Sequence, residues 1–193
     1  IGSYTEDQAK EMQIHPYVRY PVCIISKDRS SSAITMDALI AAGINFKILC
    51  PVSQYDVYLT RFGDVLYGLP DDCSVAQARQ EALNYAKVIG ARRVWIMDDD
   101  ILFPESVDSI LSIIEYTVDN YNNIIMASPG LDTSKSDVPW EIDKVAPSKC
   151  LLVSTQTDIN FQDHVGFPMM SHLEFMLEHL VTGKWHVLVD NRF

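Results

Sequence analysis

Three consecutive acids, Asp98, Asp99 and Asp100, directly follow the apolar run Val94-Trp95-Ile96-Met97. Such a run reads as a strand buried on both faces, as in a parallel sheet covered by helices. The acids then stand at the strand's carboxyl end, the edge at which open α/β sheets bind ligands. Side chains alternate along extended chain, so Asp98 and Asp100 are expected to share a face and Asp99 to point the other way. Two carboxylates about 4 Å apart repel by about 4 kcal/mol at an effective dielectric of 20. A divalent cation relieves that repulsion, and hard carboxylate oxygens suit Mg2+ or Mn2+. The chemistry implied is a metal site that holds a diphosphate; the alternative is a solvated turn after a strand.

A second polar cluster, Ser26-Lys27-Asp28-Arg29-Ser30-Ser31-Ser32, follows the apolar run Pro21 to Ile25. Lys27 and Arg29 at a strand's carboxyl end can neutralise phosphates that the acids would repel, or they belong to a solvated loop. Arg79, in a helical stretch, reads by itself as a helix-surface arginine beside Val75. Late in the chain, Ser171 and Glu174 fit a capping box. His172 beside them is a candidate base, since imidazole titrates near neutral pH. Asp163 and His164 are further candidates. The sequence has no His-Glu-x-x-His pair, no Gly-x-Ser-x-Gly elbow and no Walker loop, which gives no support to a zinc protease, an α/β-hydrolase or a P-loop enzyme.

The elements that must position these residues alternate. Strands are expected at 21–25, 46–49, 65–67, 94–97 and 124–127. A helix over 32–42 has Ile34, Ala38 and Leu39 on its buried side and stops at Gly43. A short helix fits 55–62. The clearest helix starts at the Ser74/Gln77 capping box, buries Val75, Ala78, Ala82, Tyr85, Ala86 and Ile89, and closes at Gly90. Pro104 opens another, with Val107, Ile110, Leu111, Ile114 and Val118 as its stripe. This strand–helix alternation predicts a parallel sheet with helices on both faces. Residues 131–148 lose all period and read as a long loop, functional or disordered. A strand at 150–153, irregular chain over 154–168, a helix over 171–181 (Leu173, Met176, Leu177 and Leu180 buried) and a strand at 185–189 complete the reading.

The 193 residues are 48% hydrophobic, with a net charge of −11 and a pI near 4.7. That acidity argues against broad adhesion to nucleic acid or anionic membrane. No apolar run approaches the roughly 18 residues of a membrane span, and no signal peptide is visible. The widely spaced Cys23, Cys50, Cys73 and Cys150 read as small residues of a reducing, cytoplasmic compartment rather than as a disulfide framework.

From Ser74 to Leu102 the chain resembles the segment of GT-A glycosyltransferases in which an Ala-Arg-Asn helix precedes a hydrophobic strand and an Asp-x-Asp motif. The strand Pro21–Ile25, then Ser26-Lys27-Asp28-Arg29, then a helix and Gly43-Ile44, is similar to the TET-associated glycosyltransferases. These are proteins of phages and related systems linked to sugar transfer onto hydroxymethylated pyrimidines in DNA. The resemblance covers roughly residues 20–130. Gln80 stands where the pattern has Asn, and Asp28 where the residue is often small.

The resemblance implies a single GT-A, Rossmann-like domain over 1–193: a three-layer α/β/α sandwich on a mostly parallel sheet, with an arm at 1–20 and acceptor-side loops at 131–168. It implies a nucleoside diphosphate sugar as donor and a divalent metal, Mn2+ or Mg2+. It assigns Asp98 to the ribose or the metal's outer shell, Asp100 to direct ligation and Asp99 to their vicinity. Ser26, Lys27, Arg29 and Arg79 would line the nucleotide and phosphate site. A late histidine ligand would be His186, or would lie past Phe193. Glu174 would be the acceptor's base, with His172 the other candidate. Two rivals remain at this point. A nucleotidyltransferase making nucleotide sugars usually has a Gly-rich loop after its first strand, and 26–32 contains no glycine. The other is a non-catalytic nucleotide-binding module.

Overall fold

The computed structural model describes residues 17–63, 66–104, 106–121, 123–129, 140–142, 149–158, 160–161, 175 and 186–190, with 140–142 and 186–190 described as backbone alone. In chain order the elements are β1 (Val22–Ile25), α1 (Ile34–Ala41), β2 (Lys47–Pro51), a 3₁₀ turn (Val52–Gln54), α2 (Tyr55–Phe62), β3 (Leu66–Leu69), α3 (Val75–Val88), β4 (Arg93–Asp98), α4 (Val107–Asn120), β5 (Ile124–Pro129), β6 (Trp140–Ile142), β7 (Cys150–Ser154) and β8 (His186–Asp190). The strands form one eight-stranded sheet in the order β3-β2-β1-β4-β7-β5-β8-β6. β1, β2, β3 and β4 are mutually parallel, and β5 and β8 run the same way; β7 and β6 run against them.

Strand residues alternate between two buried layers. Ile24, Ile48, Trp95 and Met97 pack with α1, α2 and α4 on one face. Cys23, Leu49, Val94 and Ile96 pack with α3 on the other, together with Phe161 and Phe175, whose rings stack at 4.4 Å. This is the expected three-layer α/β/α arrangement. The α4 stripe is buried as predicted. The Ser74/Gln77 capping box forms in both directions, at 3.1 and 2.9 Å. None of the four cysteines is in a disulfide, and Cys23, Cys50 and Cys150 lie in the core.

Several expectations are corrected. β6 lies inside 131–148, which was expected to be loop throughout. β7 is antiparallel and inserts between β4 and β5, a placement that periodicity cannot reveal because it depends on chain reversal rather than on local pattern. α4 begins at Val107 after Ser106, so Pro104 precedes the helix instead of opening it. α3 is rotated from the expected face: Val75 and Ile89 are exposed, while Arg79 and Leu83 are buried. α1 is rotated as well, burying Thr35, Met36 and Leu39 and exposing Ile34. Its apolar residues form no single stripe, so its facing is decided by Thr35, as the site shows. The expected helix at 171–181, with Leu173, Met176, Leu177 and Leu180, lies outside the described residues apart from Phe175.

Candidate active site

Parallel strands deliver their trailing residues to one edge. Ser26 to Arg29 follow β1, Ser53 and Gln54 follow β2, Asp71 follows β3, and Asp98 to Asp100 end β4. β7 runs the other way, so it delivers its leading residues to that same edge. Cys150 pairs with Met97, and the carbonyl of Lys149 accepts a hydrogen bond from the Asp98 N–H at 2.8 Å. Lys149 thereby arrives beside the acids from the far half of the chain. It was not among the residues expected from sequence, because strand direction is what puts it there.

β4 ends at Asp98 and the chain turns through Asp99 and Asp100, so the alternation expected for the three acids stops at the first. Arg29 Nη1 lies 3.3 Å from Asp99 Oδ1 and 2.7 Å from Asp100 Oδ2, drawing those two carboxylates onto one guanidinium. Lys149 Nζ reaches both oxygens of Asp100, at 2.9 and 2.8 Å. Asp98 Oδ1 lies 3.6 Å from the buried Nη2 of Arg79. Three carboxylates are thus interleaved with three cations.

The electrostatics follow from burial and pairing. Burial pushes the Asp98 carboxyl above its ordinary range, against the pull of Arg79. Burial likewise pushes Arg79 below the usual guanidinium range, with Asp98 opposing it. Partial burial also acts upward on Asp100, but hydrogen bonds from Lys149 and Arg29 outweigh it and hold that carboxyl below the ordinary range. Asp100 therefore stays ionised throughout the neutral range.

The turn is fixed from two sides. On one, Thr35 of α1 binds it three times: its N–H donates to Asp99 O at 3.2 Å, its hydroxyl donates to Asp98 O at 2.8 Å, and that oxygen accepts from Ile101 N at 2.8 Å. These bonds set the rotation of α1. On the other side, Ser26 Oγ donates to Asp99 Oδ2 at 2.5 Å. The serine's proton is thereby committed, so Tyr58 donates to Ser26, and Tyr58 Oη accepts from Arg29 N at 3.4 Å. Neither Thr35 nor Tyr58 was among the expected site residues; both look like ordinary helix residues until the strands bring them to the edge. Tyr58→Phe removes the middle of this chain and should cost about 1 kcal/mol, a fall of roughly 2–4 °C in a thermal scan.

The loop after β1 turns without a glycine. Asp28 takes a left-handed conformation, φ +60°, which Asp tolerates better than most residues. Gln54 holds it there, accepting from Asp28 N at 2.8 Å and donating to Asp28 Oδ1 at 2.5 Å. Lys27 Nζ donates to Asp71 O at 3.4 Å, and Asp71 Oδ1 accepts from Ser53 N at 2.9 Å. The ends of β1, β2 and β3 are stapled together next to the acids. Gln80, where the resembling pattern has Asn, accepts from Phe161 N at 2.9 Å and so ties α3 to the chain beyond β7.

The structure thus brings Ser26, Arg29, Arg79, Asp98, Asp99 and Asp100 to one edge, with Lys27 alongside. Glu174 and His172, and likewise Asp163 and His164, lie outside the described residues. The backbone of His186 pairs in register with Ile124, at the amino end of β5, and that of Asp190 with Pro129 at the carboxyl end. Among the described residues no three His, Cys, Asp or Glu side chains form a preformed metal cage.

The mostly parallel sheet with two covered faces, its acids and cations gathered at the carboxyl edge, is the GT-A-like α/β fold of the nucleotide-sugar transferases it aligns with. Solved structures agree on that fold. A protein assigned as a nucleotide-diphospho-sugar transferase from Desulfovibrio desulfuricans G20 aligns with a TM-score of 0.54 at 10% identity, over 88% of this chain and 78% of its own. CMP:2-keto-3-deoxy-manno-octonic acid synthetase complexed with CTP aligns at 0.55 and 10%, over 88% of both chains. TarS (1–349) of S. aureus aligns at 0.52 and 12%, over 90% of this chain and 58% of its own. A search of curated protein sequences gives no match. The family model for TET-associated glycosyltransferases matches residues 20–189, and the chain belongs to that family. It is a glycosyltransferase.

Proposed function

We propose that this glycosyltransferase takes its sugar from a nucleoside diphosphate sugar, held with a divalent metal at the Asp98–Asp100 edge. The observation that carries the reading is the alternation of Asp98, Asp99 and Asp100 with Arg79, Arg29 and Lys149 at the carboxyl ends of parallel strands. Such an edge offers both partners a metal diphosphate needs: hard oxygens for the ion and cations for the phosphates. Mg2+ keeps several waters and uses one or two carboxylates together with substrate phosphates, and Mn2+ takes the same oxygen ligands. Asp98 and Asp100, with side chains 31% and 28% exposed, are the residues that would hold the ion. Asp99, at 7%, is turned into the Ser26–Tyr58 network and positions Arg29. When bound, the metal supplies Lewis acidity toward the leaving diphosphate. Ser26, Lys27, Arg29 and Arg79 orient the nucleotide, and Glu174 or His172 takes the acceptor's proton.

The acceptor in this reading is a hydroxymethylated pyrimidine in DNA, as the resemblance to the TET-associated glycosyltransferases implies. Arg61, Arg79, Arg92 and Arg93 each face a carboxylate of the chain itself. With a net charge of −11, that favours grip on one nucleotide over a long phosphate track, and a target base in a duplex would be turned outward. On this reading the activity is cytoplasmic. Among the described residues no helix is long and apolar enough to cross a membrane.

The test incubates the protein with Mn2+, uridine, guanosine, cytidine or thymidine diphosphate sugars, and duplexes carrying hydroxymethylcytosine, hydroxymethyluracil or unmodified bases. Transfer to a hydroxymethylated duplex alone is the expected result. Transfer to unmodified DNA would overturn the acceptor. Pyrophosphate release from a nucleoside triphosphate, with no sugar transfer, would replace the whole reading by a nucleotidyltransferase.

A further inference from the structure

The counter-ions of Asp100 are unlike that of Asp98. Arg79, which faces Asp98, is 5% exposed and fixed within the fold. Lys149 and Arg29, which face Asp100, are 57% and 48% exposed and lie on the open side of the edge. Their backbones are nonetheless anchored, Lys149 through its carbonyl to Asp98 N and Arg29 through its N–H to Tyr58. Each is a long side chain on a fixed root. Exposed ion pairs of this kind are weak and open readily. Between them they cover both oxygens of Asp100.

Charge balance gives this arrangement a consequence. With three cations on three carboxylates the free site is neutral. A divalent ion arriving alone must displace Lys149 or Arg29 from Asp100 and leave that cation unpaired beside two new positive charges. A diphosphate arriving alone meets a carboxylate beside each of Arg79, Arg29 and Lys149. When the two arrive together, the ion takes the carboxylate oxygens and the released side chains take phosphate oxygens.

On the donor-site reading above, we propose that Lys149, with Arg29, is an exchangeable counter-ion that holds Asp100 in the free protein and passes to the donor's diphosphate, making metal and diphosphate bind cooperatively. Lys149 is a positioning and binding residue in this scheme.

The experiment titrates Mn2+ into the protein with and without inorganic pyrophosphate, and then with each nucleoside diphosphate, at matched free Mn2+. It compares the wild type with Lys149→Met, which keeps the aliphatic stem, and Lys149→Arg, which keeps the charge. In the wild type the diphosphate should tighten Mn2+ binding by roughly 5- to 150-fold, the usual span of coupling between two ligands, and Mn2+ should tighten diphosphate binding by the same factor. In Lys149→Met, Mn2+ alone should bind several-fold tighter, diphosphate should bind more weakly in the presence of Mn2+, and the coupling factor should shrink; Lys149→Arg should restore it. Unchanged coupling in Lys149→Met overturns the exchange while leaving the donor site standing. Weaker Mn2+ binding in that variant without diphosphate also overturns it, since Lys149 would then merely shape Asp100. A wild type that binds neither Mn2+ nor any diphosphate rejects the donor-site reading itself. A thermal scan of each variant confirms folding, which an exposed lysine should not disturb.

Discussion

Asp100→Ala should abolish metal-dependent sugar transfer, lowering turnover by about three orders of magnitude, and leave the protein folded. Lewis-acid stabilisation of a leaving group is a contribution of several kcal/mol, and each 1.36 kcal/mol is tenfold in rate. The fold loses little because Asp100 sits in a turn and its partners Arg29 and Lys149 are about half exposed. Exposed ion pairs of this kind contribute little to stability. The turn is held by Thr35 and Ser26 on Asp98, Asp99 and Ile101, independently of the Asp100 side chain. Steady-state turnover beside a thermal scan checks both halves. Activity near the wild-type level would remove Asp100 from the site; lost activity with a large fall in melting temperature would make it a structural residue.

The largest effect on stability is expected at Glu115, on the face of α4 that meets the sheet. Its side chain is fully buried and collects the Trp95 indole N–H at 2.9 Å and the backbone N–H groups of Arg19 at 2.8 Å and Tyr20 at 3.3 Å. It joins β4, the strand that carries the acids, to the chain entering β1. Glu115→Ala leaves those donors without their acceptor inside the core, at a cost of about 3–5 kcal/mol, or roughly 6–20 °C in melting temperature. The same residue gives a pH signature. Burial pushes its carboxyl up to about 7 from an ordinary 4.5, although the surrounding donors pull it down. The folded state therefore holds this proton more tightly than the unfolded chain. Glu115's contribution is complete below pH 4.5 and is lost as pH rises through 7, by about 3 kcal/mol at 1.36 kcal/mol per pH unit. In Glu115→Gln this pH dependence disappears. Chemical denaturation from pH 5 to 8 should show the variant gaining on the wild type as pH rises, and a difference that stays flat would place the Glu115 pKa outside that window.

What the sequence revealed and what it concealed divide along a physical line. Strands β1, β2, β4 and β5 and helices α3 and α4 are written in local patterns: continuous apolar runs, a capping box, a 3.6-residue stripe. The acids at the end of β4 and the cations after β1 follow from the same patterns, because a parallel sheet sends both to one edge. Lys149 does not, since only the reversed direction of β7 brings it there. The place of His186 is hidden for a related reason: only the register of β8 with β5 sets its backbone opposite Ile124. Thr35, Tyr58 and Glu115 are polar residues on helices whose importance lies in long-range hydrogen bonds. Thr35 even overrides the weak apolar pattern of α1 to decide which way that helix faces.

The central claim is most directly tested by thermal shift. The wild type and Asp100→Ala are each heated with uridine, guanosine, cytidine and thymidine diphosphates, with and without Mn2+. A ligand at 100 times its dissociation constant stabilises the folded state by about 2.7 kcal/mol, worth roughly 5–11 °C for a chain of this size. The account predicts such a shift for one nucleotide, dependent on Mn2+ and absent in Asp100→Ala. No shift with any of the four, in the presence or absence of Mn2+, would contradict it and return the three acids to a solvated turn neutralised by their own arginines and lysine.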